Sequence, residues 1–377
     1  MNVLSRRRIL TVGLGGAGLI AVGGVWRATR LPQTAFDPWE LDATPPQDAR
    51  LDAFRHAILA PNPHNRQPWT IRLEGERRAV IGVDLDRRLP DTDPFDRQIT
   101  IGFGAFLETA RIAASKRGYA MEIELFPEGH DDQTLDARPV AALTFTGDPD
   151  LEPDPLHVQI IRRRSNKEEY DLTRQVSSGD LNQVIADGGE YTLDPNTLAA
   201  LQAEIVSAIQ TEMNTPAANM ESVELMRIGH EEVDANPDGI ELHGPMIEAG
   251  KLAGTINREE LADPTSSAFQ QGVEMMSRIY GSIPALIWIK TPANTRFDQL
   301  EAGRQYVRAN LQATALGLGM HPMSQSLQEY AEVQPMFAEV QALTGVMPGE
   351  RLQMLARVGY GPETGPTPRW PLQSRLI

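Results

Sequence analysis

The chain has 377 residues, 41% of them hydrophobic, which is enough for one large domain or two smaller ones. Its formal charge is −16, and the first 30 residues hold five arginines and no acid, so the rest carries −16 − 5 = −21, which excludes general binding to nucleic acid or anionic membrane surfaces. The absence of cysteine excludes a disulfide scaffold, a thiolate metal site, a cysteine nucleophile and a lipidated cysteine anchor.

At the N-terminus, Ser5-Arg6-Arg7-Arg8-Ile9-Leu10 resembles a twin-arginine export signal, in which paired arginines precede a weakly apolar run. The run from Ile9 to Trp26 is uncharged and diluted by six glycines, which lowers its helix propensity. It stands at the lower limit of a membrane-spanning length. Residues 1–30 are therefore expected to direct the chain through the twin-arginine (Tat) machinery to the periplasm or beyond. They are also long enough to remain as an inner-membrane anchor, because Ala21-Val22-Gly23 and Ala28-Thr29-Arg30 are poor cleavage sites. Residues 31–47 are rich in proline and read as a linker.

In the body, Leu51, Phe54, Ile58 and Leu59 recur at helical spacing over Asp48–Ala60. Strands are predicted over Pro68–Leu73 and Ala79–Leu85, a long helix over Gln98–Arg117, and strands over Met121–Phe126 and Val140–Phe145. The acidic stretch Leu151–Pro155 reads as a junction. A helix is predicted from about His157 to Asn166, and another over Pro195–Gln210, capped by Asp194. Pro216–Pro264 is polar and punctuated by Gly and Pro, and is expected to be a mobile, lid-like cover. Helices over Ala268–Tyr280, Asp298–Gly317 and Pro335–Thr344 and strands over Ala285–Lys290 and Arg351–Val358 complete an α+β pattern without a regular βαβ alternation.

Two stretches carry candidate binding chemistry. In Pro61-Asn62-Pro63-His64-Asn65-Arg66-Gln67-Pro68-Trp69 the prolines stiffen the backbone, while Asn65 and Gln67 can each donate and accept hydrogen bonds to a planar ligand. The same residues would also suit a plain helix-to-strand turn. In Arg163-Arg164-Ser165-Asn166-Lys167, two guanidiniums, a hydroxyl and an ammonium are concentrated in an acidic protein and suit an anionic oxygen cluster, or equally a solvated basic turn. The seven histidines show no metal-ligand spacing, and no Gly-x-Ser-x-Gly occurs. Gly102 and Gly104 lie inside a predicted helix, where they suit close packing between two halves better than a dinucleotide fingerprint.

Both stretches resemble the nitroreductase family, where a Pro-Ser-x-x-Asn-x-Gln-Pro-Trp loop lines the flavin and an Arg-x-Ser-x-Arg/Lys pattern holds the FMN phosphate. Asn62 stands where the family has Ser. Two further segments look like family pieces: Gly317-Leu318-Gly319 with the following Pro322-Met323-Ser324-Gln325, and Arg357-Val358-Gly359-Tyr360-Gly361 with the later Arg369-Trp370-Pro371. The resemblance implies a cofactor, FMN, bound by Pro61, Asn62, Pro63, Asn65, Gln67, Arg163, Arg164, Ser165, Lys167, Pro322, Met323, Ser324, Gln325 and Arg369. It implies no catalytic side chain, since flavin N5 carries the chemistry.

In ordinary members the phosphate motif precedes the loop, and two subunits share each flavin. Here the loop comes first, so the chain resembles the tandem-fused, Acg-like branch. A first half at 48–150 would keep the loop and a second at 156–377 the phosphate motif and the lid, together imitating the homodimer and holding one FMN. Implied partners are an electron-poor small molecule, such as a nitroaromatic or quinone, and a donor that is NAD(P)H or a redox protein. The alternative is a non-catalytic FMN-binding or storage protein. No metal and no nucleic acid is expected, and the membrane only through residues 1–30.

Overall fold

The computed structural model describes residues 30–41 and 44–377. The export-signal reading therefore falls almost wholly outside the described residues. What is described mixes helix and sheet in the α+β manner.

Helix α1 (Ala49–Ala57) is capped by Asp48, whose carboxylate accepts from the Arg50 N–H. Strands β1 (Trp69–Glu74) and β2 (Arg78–Val83) pair antiparallel, helix α2 (Arg97–Lys116) follows, and β3 (Tyr119–Leu125) and β4 (Ala141–Gly147) complete a sheet of order β1-β2-β4-β3. Trp69 and Ile71 of β1, Ile81 of β2 and Leu143 and Phe145 of β4 turn to one face, where they pack with Phe54 and Ile58 of α1 and Phe103 and Phe106 of α2.

The second sheet repeats this plan. Helix α3 (Ser178–Val184) precedes β5 (Glu190–Thr192), and helix α4 (Pro195–Asn214) follows, capped by Asp194 as predicted. An insertion then runs α5 (Pro216–Glu224), β6 (Met226–Ile228), α6 (His230–Ala235), β7 (Ile240–Leu242), α7 (Pro245–Ala253) and α8 (Arg258–Ala262). After it come α9 (Ser267–Gly281), β8 (Ala285–Thr291), α10 (Arg296–Ala315), β9 (Gly319–Pro322), α11 (Gln334–Leu343) and β10 (Arg351–Gly359). The sheet order is β5-β8-β10-β9, all antiparallel, so in both sheets the strand made fourth lies between those made second and third. In both, a long helix joins the second strand to the third.

β8 is buried on both faces. Ala285, Ile287 and Ile289 meet Ala302, Tyr306 and Ala309 of α10, while Leu286 and Trp288 meet Leu201 and Ile205 of α4. Where the two long helices cross, their backbones touch. A Cβ on Gly104 of α2 would lie 2.0 Å from the Leu300 carbonyl oxygen, and one on Gly303 of α10 would lie 1.9 Å from that of Ile101. Only glycine fits either position. Gly102 plays a different part from the one expected: it faces Asn62 and Pro63 in the loop before β1.

Several elements differ from the sequence reading. The helix expected over 157–166 is a short 3-10 turn (Pro155–Gln159), and no helix forms again until Ser178. The Pro216–Pro264 stretch, expected as a mobile cover, folds into four helices and the parallel β6–β7 ladder. The proline-rich segment before α1 is docked rather than a free linker. The backbone N–H groups of Gln33, Thr34 and Ala35 all donate to the Asp234 carboxylate on α6, and Trp39 is buried. After β10 the tail crosses back to the first sheet, where Leu376 bridges Ile71 and Leu372 enters the core. No described helix is long and apolar enough to cross a membrane.

Candidate functional site

The loop before β1 is conformationally unusual. His64, Asn65 and Gln67 all have positive φ, at 45°, 51° and 50°. Such conformations cost about 1–3 kcal/mol each in a non-glycine residue and persist only where surrounding contacts enforce them. Those contacts are visible. Asn62 accepts the Gln67 N–H at 2.7 Å, and Asn65 donates to the Pro368 carbonyl at 2.9 Å while accepting from Arg369 at 2.7 Å. The Arg369 guanidinium, fully buried, also donates to the carbonyls of Ile58, Leu59 and Ala60. The C-terminal tail thus clamps the loop.

Arg163 enters from the other sheet's side. It is buried, donating to Asn310 Oδ1 of α10 at 3.0 Å and to the Leu59 carbonyl at 2.9 Å. Neither Arg163 nor Arg369 has a carboxylate within ion-pair distance among the described residues. Burial pushes Arg163 down to about 10, with Tyr306 opposing and Arg164 adding, and Arg369 down to about 9, with Arg163 and Arg164 adding and Glu241 opposing. Two buried guanidiniums without a direct ion pair make a setting that suits an anion. Beside them the Ser165 hydroxyl and the exposed Lys167 ammonium make no hydrogen bond to the protein among the described residues.

These groups line one cavity of about 270 Å³. Pro61, Asn62, Pro63, Asn65, Arg163, Ser165, Lys167, Pro322, Ser324, Gln325 and Arg369 all reach its wall, so the loop of the first sheet and the cationic stretch of the second meet around a single space. An adjoining recess of about 80 Å³ opens between Gly102 and Tyr306.

Three expected residues do not reach the cavity. Gln67 is wholly buried and works as a buckle: its amide donates to the Pro237 carbonyl of the insertion and accepts from the Trp370 N–H of the tail. Arg164 turns outward over the Trp39 ring, 4.6 Å from its centroid, and donates to the carbonyls of Ile161 and Arg163. Met323 is core, packed with Leu286 and Leu355. Arg369 does line the cavity, but its N–H groups are engaged with carbonyl and hydroxyl oxygens and the Asn65 side chain, so what it offers an anion is charge rather than free donors.

Of the other cavity residues, Gln98 and Thr367 gave no sequence signal of their own. Gln98 comes from the first turn of α2 and Thr367 from the tail. His321 of β9 is buried and accepts the Arg357 Nε–H at its Nδ1. Burial, then Arg357 and Lys167, hold it well below its ordinary range, so it is neutral. His64 is likewise pushed down to about 4 by burial, with Lys167 and Arg66 adding. At the far end Glu212 of α4 is buried, and desolvation raises it to about 7. Three buried polar atoms along the cavity and its recess have no partner: His64 Nδ1, Tyr306 Oη and Gln328 Oε1. Such orphans are costly unless a polar ligand meets them. No cluster of described residues could hold a metal ion.

Comparison with known proteins gives the family. The family model described as "Nitroreductase family" matches residues 160–360, more than half of the chain. The chain belongs to the nitroreductase family. Within this nitroreductase-family chain, the loop at 61–69 lies outside the matched stretch. A Mycobacterium tuberculosis protein provisionally named NAD(P)H nitroreductase Rv3131 is 26% identical over 320 residues, spanning 83% of this chain and 86% of that protein. A second from the same organism, provisionally named NAD(P)H nitroreductase acg, is 36% identical over 84 residues, or 22% of this chain and 25% of its own. Among solved structures, the FMN-dependent nitroreductase NfnB from Mycobacterium smegmatis in complex with NADPH is 17% identical, with 57% of this chain and 94% of that one covered at a TM-score of 0.35.

Proposed function

We propose that the chain is an FMN-dependent oxidoreductase in which two fused family halves enclose one flavin. The observation that carries this reading is the pair of buried guanidiniums, Arg163 and Arg369, neither in an ion pair among the described residues, in the wall of a cavity along which His64 Nδ1, Tyr306 Oη and Gln328 Oε1 have no partner. A phosphate monoester would supply the missing charge, and a hydroxylated chain and a heteroaromatic edge would satisfy the rest.

In this reading Ser165 and Lys167 donate to the phosphate, which Arg163 and Arg369 attract through their field. Asn62, Pro63 and Asn65, held by the tail, border the ring from the first half, and Pro322, Ser324 and Gln325 do so from the second. Neutral His64 and His321 keep further positive charge away from the ring. Bound there, FMN would supply the redox chemistry through its N5 atom. The relatives' NAD(P)H names support a nicotinamide donor, and an electron-poor nitroaromatic or quinone is the acceptor class proposed. Residues 5–10 support export by the Tat route.

The test is an absorption spectrum of the purified full-length protein loaded with FMN, followed by dithionite reduction and addition of an acceptor. A stoichiometric flavin that bleaches and reoxidises supports the oxidoreductase. Bound flavin that never turns over with any donor or acceptor would make the chain a storage protein, and protein that takes up no FMN would end both readings.

A further inference from the structure

The end of the cavity away from the arginines has its own construction. Ile209 and Met213 of α4, Met276 and Ile279 of α9, and Met226 and Ile240 of the β6–β7 ladder make it apolar. Set into this wall is one polar group of side chains. Glu212, 5% exposed, accepts from Gln328 Nε2 at 2.6 Å and lies 3.5 Å from the Ser222 hydroxyl. Tyr280 donates to Gln325 Oε1 at 2.9 Å beside it. Gln328 is 2% exposed, and its Oε1 has no partner. Whichever way round that amide sits, one of its polar ends is left for a ligand.

We propose that this end is the acceptor subsite, and that it takes a neutral apolar ring bearing an oxygen that the buried Glu212 and Gln328 meet by hydrogen bonding. The proposal rests on the flavoprotein reading above and adds to it the position and the charge preference of the second substrate.

Glu212 forms no ion pair among the described residues, and the titratable groups that face it are Glu221 of α5, Tyr280 of α9 and Tyr330 of the loop after β9. None of these supplies a positive charge. Desolvation, with Glu221 adding like charge, raises the carboxyl to about 7, while Gln328 and Ser222 act in the opposite sense. At or below neutrality the group can therefore give a hydrogen bond to a carbonyl or nitro oxygen. Above neutrality it becomes a buried anion that can only accept, and it repels an anionic ring. The methionines adapt to rings of differing outline.

The experiment uses the FMN-loaded full-length protein and two probes, 1,4-naphthoquinone and its 2-sulfonate, titrated by change in flavin absorbance at pH 5.5 and pH 8. With no cysteine in the chain, quinone addition to a thiol does not interfere. The wild type is expected to bind the neutral quinone about tenfold more tightly at pH 5.5 than at pH 8, the worth of one good hydrogen bond, and to bind the sulfonate weakly at pH 8. E212Q should remove the pH dependence and admit the sulfonate while holding its FMN content. Should E212Q fail to fold, Q328L serves instead and should weaken quinone binding about tenfold at pH 5.5. Yellow protein in which the folded variant binds both probes as the wild type does would overturn the subsite alone; protein that takes up no FMN fails the earlier reading instead.

Discussion

Gly104 and Gly303 occupy the same place in two different helices: each is the eighth residue, seven after a buried arginine that opens the helix, Arg97 in α2 and Arg296 in α10. Each glycine lies under a carbonyl of the other helix, Leu300 for one and Ile101 for the other. Each arginine reaches across as well, Arg97 to the carbonyls of Leu327 and Gln353, Arg296 to those of Phe95 and Asp131. The contact has the form of a twofold interface written into one chain. G104A and G303A should each cost about 3 kcal/mol or more, because the obstructing atom is backbone and has nowhere to go. The double variant should cost less than the sum of the two, since the first methyl already separates the helices. Urea unfolding followed by circular dichroism measures all three.

Lys167 is exposed and makes no ion pair among the described residues, so its removal should leave the fold alone. K167A is expected to raise the FMN dissociation constant about tenfold, the loss of one charge-assisted hydrogen bond, with the melting temperature of the apoprotein unchanged. Fluorescence quenching on titration with FMN gives the first number, and thermal denaturation the second.

Asn65 combines a left-handed backbone with side-chain bonds to Pro368 and Arg369, and two substitutions separate these contributions. N65G keeps the backbone freedom and loses the bonds, whereas N65A loses both and should be less stable than N65G by about 1 kcal/mol. Both should retain less FMN after gel filtration. Equal stability of the two would mean that the loop is not held in this conformation in solution.

Glu212 links stability to pH in a definite sense. Its folded-state value is raised from 4.5 to about 7, so the folded protein keeps a proton that the unfolded chain releases. Stability contributed through this group therefore falls as pH rises from about 4.5 to about 7, and the whole cost is present above that window. E212Q should match the wild type near pH 4.5 and exceed it by on the order of 3 kcal/mol at pH 8. Urea midpoints at the two pH values decide it.

Asp234 gathers the N–H groups of Gln33, Thr34 and Ala35 onto one carboxylate. D234A should free that segment and expose the chain before α1 to limited proteolysis, with little change in the unfolding of the rest. Mass spectrometry of the fragments would locate the cut.

Much of this architecture could be read from the chain, and the failures have physical reasons. Long amphipathic stretches such as α2, α4 and α10 announce themselves through periodicity, and proline with Asp194 marks the start of α4. Strands as short as Glu190–Thr192 and Gly319–Pro322 fall below the length at which alternation is visible. The helix expected at 157–166 fails because a 3-10 turn ends the element and Arg163 after it is pulled to Asn310 and Leu59. Within the motifs, residue type indicates the neighbourhood but not the direction a side chain takes. Asn65 and Ser165 turn to the cavity, while Gln67 and Arg164 turn to the insertion and to Trp39. Glu212, Tyr306 and Gln328 could not be singled out, because on a helix or in a turn each is an ordinary residue until distant elements bury it.

The segment before α1 and the tail after β10 meet beside the cavity: Trp39 Nε1–H donates to the Thr367 carbonyl, and the Arg369 N–H donates to that of Ala35. Thr367 and Arg369 follow Arg163 by more than 200 residues along the chain and join it in the same cavity wall only because the tail crosses back. A cut in the tail after β10 would therefore remove part of the cavity wall without taking a strand from either sheet.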